Sequence, residues 1–364
     1  MEKQLKTRQI CLFFIAFMPL TKLFAMPSIM ASLADRSLWI SGLLNVLIDL
    51  LTLIILIVVS KKTDKDYYEI LTSVFGEKGA KIIAVLYALY FLFKSTFPII
   101  EGKDYINATL YLAMPSTFYF LPFFTVALYL CTKKLRILGR LSDVLFIFTL
   151  FGFILLVVLS LNNTDFGALF PIYNPNVSGI IKSSYSSLTW FGDSVYFLFF
   201  IGNFKHNKGD GNKIILSYLL NGFMIVFFLI LFYSVFTFIA FRQRFALTEI
   251  AKYTTVISNT GRFDYIATLS LLFSHLVSLC LPLFFASKLL KRAFFNENSF
   301  IPAMITVIIS FIFSILFAKY YYTIEKIVTG VLGVILLIFA NVFPMLFLLF
   351  IKKENNYEDK KLKA

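Results

Sequence analysis

Apolar residues fall in long blocks along this chain, from Gln9 to Ile351, with polar residues concentrated between the blocks. Most blocks are long enough, at about 1.5 Å per residue, to cross a hydrocarbon layer about 30 Å thick as helices, and too long for barrel strands. The pattern predicts ten spans: Gln9 to Ser32, Leu38 to Ser60, Ile82 to Ala113, Phe118 to Cys131, Ser142 to Leu161, Ser187 to Asn203, Ile214 to Ala240, Phe263 to Ser287, Phe300 to Ala318 and Tyr322 to Ile351. The third is long and the fourth short. Splitting them at Glu101 to Asp104 is an equally fair division. The expected fold is an all-α polytopic membrane protein, one domain over 1–351 with a short charged tail at 352–364.

Composition agrees with this class. Of the 364 residues, 59% are hydrophobic and only 15% charged, outside the balance of a soluble domain. A net charge of +14 is of the sign nucleic acid attracts, but the charge follows the loops. One set of loops and ends holds 23 Lys and Arg residues against 8 on the other, which places both termini in the cytoplasm and requires an even number of spans. Cys11, Cys131 and Cys280 show no disulfide or zinc spacing. Lys22 breaks the apolar core that a cleaved signal peptide would need, so the first block is kept as structure. Two loops carry helical periodicity, Asp64 to Lys81 and Ala246 to Ser258, while Phe166 to Ser184, with Pro171, Pro175 and Gly179, reads as an irregular connection.

Seven charged residues remain at membrane depth: Lys22, Lys94, Lys103, Asp49, Glu101, Asp104 and Asp193. A charge at the bilayer centre costs about 2.5–3.5 kcal/mol on insertion scales, so this near-balance predicts a shared interior where the charges pair. Lys22 lies roughly 20 Å into its span, between Pro19 and Pro27, which remove backbone donors and favour an unwound helix. Five spans later Gly192 and Asp193 interrupt another apolar block. Two broken spans in corresponding positions point to a five-plus-five inverted repeat, 9–161 and 187–351, with a binding site at the breaks. The alternative for Asp193 is a plain helix cap. Asn45 and Asp49 share a helix face, as do Glu101, Asp104 and Tyr105, and Ser274 and His275 lie on span eight. Nothing resembles a catalytic constellation, so neither an enzyme nor a metal or cofactor is expected.

Short motifs carry a resemblance. "TRQI" at Thr7, "AMPST" at Ala113, "LGRLSD" at Leu138, "LFPIYNPNVSGIIKSS" before span six, "WFGDSVYFL" at Trp190 and "GRFDYIATL" at Gly261 are similar to stretches of the B-subunit permeases of spore germinant receptors. That family belongs to the amino acid, polyamine and organocation transporter superfamily, whose fold is LeuT-like. Asp193 stands where glutamate is usual, and the break around Lys22 lacks the superfamily's glycines. The resemblance implies a germinant-binding subunit in the inner spore membrane beside A-type and C-type subunits; a secondary active amino acid permease, proton-coupled, is the alternative. The expected ligand-binding residues are Thr21, Lys22, Phe24, Ala25, Trp190, Gly192 and Asp193. The expected coupling network is Asp49, Glu101, Asp104, Ser274 and His275.

Overall fold

The computed structural model describes residues 5–109, 115–170, 177–252, 264–295 and 298–346. The charged tail, the "AMPST" turn at 113–114, Pro171 and Pro175, the second half of the Ala246 to Ser258 loop and the opening of "GRFDYIATL" lie outside the described residues. All named elements are helical.

The first span is broken: α1 (Thr7–Phe17), a 3-10 turn (Leu20–Lys22) and α2 (Met26–Ala34). Pro19 precedes the turn and Pro27 sits in the first turn of α2, where its missing N–H costs nothing. Then follow α3 (Leu38–Ser60), α4 (Tyr67–Thr109), α5 (Ser116–Thr132) and α6 (Arg136–Ser160). The sixth span is also broken, into α7 (Val177–Ser186), a 3-10 turn (Leu188–Trp190) and a 3-10 stretch (Asp193–Phe199). After it come α8 (Asp210–Phe236), the short α9 (Ala246–Lys252), α10 (Asp264–Leu290), α11 (Phe300–Lys319) and a last segment beginning with α12 (Tyr321–Ile327) and widened by π-type turns at Val328–Leu332 and Ile338–Val342. Among the described residues, seven helical stretches are long and apolar enough to cross a membrane, and a shorter apolar helix spans Phe118–Thr132. With the two broken spans they make the ten-segment arrangement.

Several boundaries differ from the hydropathy pattern. The chain does not split at Glu101 to Asp104: α4 is continuous through them, and at its other end it absorbs the loop after Lys65, bending at Gly76 (φ 71°). The sixth span starts at Val177, ten residues before its apolar block, because the serines of α7 turn inward: Ser183 donates to the Met30 carbonyl of α2 and Ser184 to Asn45 of α3. The connection from Phe166 is therefore partly helix. "LGRLSD" lies inside α6, and Gly139 there lets α6 meet α1: a Cβ on it would stand 2.8 Å from the Gln9 side chain. Ser142 and Thr149 then donate to the Gln9 and Ala16 carbonyls at 3.1 and 3.0 Å.

α10 packs against α4, α5, α6 and α11, while α3 packs against α7 and α8, and α1 lies between α6 and α8. The basic connections gather at one end: Leu5 N donates to Asn203 O, Thr7 Oγ1 to Asp210, Lys288 Nζ to Cys131 O, and Arg292 pairs with Asp66.

Candidate functional site

The breaks in the first and sixth spans face each other. Each break frees backbone groups that a continuous helix would satisfy internally, and in lipid every such group needs a partner. In the first span, the Leu23 and Phe24 carbonyls accept from Leu247 N and Ala246 N of α9, both at 3.1 Å. The periodic loop that opens at Ala246 is thus a cap on the break. In the sixth span, Gly192 adopts φ 85°, a left-handed turn that favours glycine, and a Cβ there would meet Ala340 Cβ at 2.7 Å. Asp49 Oδ2 accepts from Gly192 N at 2.7 Å, Asp193 N at 3.1 Å and the Tyr218 hydroxyl at 3.1 Å. One helical turn earlier Asn45 bonds Ser184 and Ser187 on the other side of the break. The shared face of Asn45 and Asp49 therefore clamps the two halves of span six. Val328 O, within a π-type turn of the last segment, accepts from Thr189 Oγ1 at 2.5 Å.

Between the breaks lies an ion cluster. Lys22 Nζ donates to Asp193 Oδ2 at 2.5 Å and to the Met18 carbonyl at 2.8 Å, beneath the Phe191 ring. Lys94 donates to the Phe191 carbonyl and lies 3.6 Å from Asp193 Oδ1. Lys22, Asp49 and Asp193 expose 1%, 1% and 3% of their surface and Lys94 7%, so water does not screen the cluster, and two cations against two anions sum to zero. The Asp193 carboxylate accepts from lysines and does not cap its own helical stretch.

Beside the cluster is a cavity of about 30 Å³ bordered by Thr21, Lys94, Ser95, Trp190, Asp193 and Ser278 among others. That is space for about one or two waters. Of the expected ligand residues, Thr21, Trp190 and Asp193 line it, Lys22 and Gly192 stand in the cluster, and Phe24 and Ala25 do not line it. Phe24 instead stacks on His275, ring centroids 4.1 Å apart.

The seven charges do not share one interior. Asp104 pairs with Lys103 at 2.7 Å and with the half-exposed Arg244 at 3.4 Å, towards the rim. Glu101 is buried apart from the quartet and accepts from Trp190 Nε1 at 3.3 Å. Ser274 and His275 are buried, and among the described residues the Ser274 hydroxyl and both His275 nitrogens meet no hydrogen-bond partner. Among the described residues no three His, Cys, Asp or Glu side chains gather as a metal site requires. Lys94, Tyr218 and Tyr196 belong to the site although the sequence singled out only Lys94, and that as a buried charge.

Tyr196 connects the cavity to an aromatic layer. Its ring lies 5.3 Å from Phe285 and 5.6 Å from Phe91, and Phe285 lies 4.4 Å from Phe199. Phe199 and Phe285 also floor a crevice of about 440 Å³ at the basic end.

A family model described as spore germination protein matches residues 4–322. Comparison with curated proteins finds no match. Among solved structures, a histidine-to-alanine mutant of the manganese transporter of Eremococcus coleocola is similar at 13% identity, over 92% of this chain and 78% of that one, with a TM-score of 0.51. A glutamate-to-glutamine mutant of that transporter is 15% identical over the same shares, with a TM-score of 0.49. The first likeness shows a membrane-transporter fold.

Proposed function

We propose, from the premise that this chain belongs to the spore germination protein family, that it is a transporter-like membrane subunit that binds a small nutrient germinant at its two helix breaks and passes the resulting change to partner subunits. The ligand is an amino acid or a similar zwitterion. The observation that carries this is the Lys22–Asp193 pair, buried and next to a cavity. A zwitterion can exchange with such a pair at no net charge: its ammonium takes Asp193, its carboxylate takes Lys22 or Lys94, and no buried charge is left alone.

The cavity is far below the ~300 Å³ at which ligand pockets begin, so binding separates the segments around it. That differential affinity for a wider state is what a sensor needs to signal. The partners in this reading are A-type and C-type receptor subunits in the inner spore membrane, with both termini cytoplasmic and the two five-segment halves moving against each other.

A secondary active amino acid permease is the second reading, favoured by the aromatic contacts that join the cavity's Tyr196 to Phe285 and Phe199 of the crevice. The test is a thermal-shift screen of the purified protein against each standard amino acid, since a native-state ligand at a hundred times its Kd adds about 2.7 kcal/mol of stability. No shift with any of them contradicts the ligand class. Uptake of a hit into reconstituted vesicles favours the permease, and binding without uptake favours the receptor.

A further inference from the structure

The crevice at the basic end is built by parts of the chain far apart in sequence. Its walls are the start of α4, the turn after α5, the end of the broken sixth span and the end of α10 with its continuation. Its charge is one-sided: Lys133, Lys134, Lys288, Lys291 and Arg292 line it against the single carboxylate of Asp66. Asp66 is already taken by Arg292. The Lys133 ammonium lies over the Tyr129 ring, 3.9 Å from its centroid.

Three ammonium groups remain. Among the described residues, Lys288 Nζ touches the neutral Cys131 carbonyl at 3.2 Å and the Phe284 ring, and Lys291 Nζ touches the Ser299 hydroxyl at 2.5 Å. Lys134 is exposed at the mouth. None of the three has a carboxylate within ion-pair distance among the described residues. Like charges held together in a concave, low-dielectric cleft focus positive potential and repel one another until a counter-ion joins them. Lys288 and Lys291 come from α10 and its continuation, Lys134 from the α5–α6 turn, so a shared anion would bridge these elements.

We infer that this crevice is an anion site for a phosphate group, either free or on a lipid headgroup. Three ammonium groups with the Ser299 hydroxyl at hand match a group offering several acceptor oxygens and up to two charges better than they match one carboxylate. Basic pockets between helix ends lie at the depth of phospholipid headgroups. The site is separate from the buried ion cluster and does not depend on the germinant reading.

The test uses the full chain in non-ionic detergent at matched ionic strength. Melting temperature is titrated with inorganic phosphate against chloride, and with short-chain phosphatidylglycerol against short-chain phosphatidylcholine. Stabilisation by phosphate and phosphatidylglycerol alike supports a free phosphate group as sufficient; stabilisation by phosphatidylglycerol alone supports a lipid headgroup. Lys291→Gln and Lys134→Gln each raise the half-saturating concentration about tenfold, the worth of one charge-assisted contact, while Lys182→Gln, exposed on α7, leaves it unchanged. Lys134 is exposed, so its variant folds even if the Lys291 variant does not. No shift with either anionic probe, or equal half-saturation in all variants, overturns the site.

Discussion

Lys22 is a full charge with 1% of its surface exposed, and its geometry explains how the chain tolerates it. The ammonium donates to a carboxylate and a carbonyl and faces a ring, so each of its directions is occupied. Removing one member of a buried pair leaves the other uncompensated and costs about 3–5 kcal/mol. Asp193→Asn removes the carboxylate that both lysines face and leaves two cations against Asp49 alone, whereas Lys22→Met leaves Asp193 still 3.6 Å from Lys94. Denaturation in detergent should therefore find Asp193→Asn the more destabilised of the two. The double variant should lose less than the sum of the singles, and simple additivity would contradict the coupling.

At the scale of elements, the breaks depend on their caps. Gly192→Ala must hold a left-handed backbone, at about 1–2 kcal/mol, and push Ala340 away from 2.7 Å. It should destabilise the protein by more than that strain alone and remove any ligand response, measured by melting and by thermal shift. Ala246→Pro deletes the amide that serves the Phe24 carbonyl. Its effect should appear as faster hydrogen exchange confined to residues 20–28 and α9.

The same elements mark how far the sequence could be followed. Both breaks were legible, because a lysine between prolines and a Gly-Asp pair are conspicuous inside apolar blocks. The start of span six was not: Ser184 of α7 and Ser187 just after it are hidden against Asn45, a contact across 139 and 142 residues that hydropathy cannot register. Asp49 was visible as a buried charge but its task was not, since its partners at 192, 193 and 218 are remote in sequence. Glu101 and Asp104 share a helix face with the interior charges in sequence, yet Arg244 draws Asp104 to the rim.

For the whole molecule, the buried ion cluster, the aromatic layer and the crevice lie in series, which makes the layer of Phe91, Tyr196, Phe199 and Phe285 the barrier on the basic side. In a background without the native cysteines, Ser278→Cys beside the cavity should resist a polar maleimide, and adding Phe285→Ala should speed its modification. Equal rates would place the barrier elsewhere.

The central claim is that a zwitterion exchanges with the Lys22–Asp193 pair. Calorimetric titration of the most stabilising amino acid into the wild type, Asp193→Asn and Lys182→Gln tests it most directly. The account predicts equal affinity for wild type and Lys182→Gln and a loss of about a hundredfold or more in Asp193→Asn, the loss of one buried charge contact. Unchanged affinity in a folded Asp193→Asn variant would contradict it.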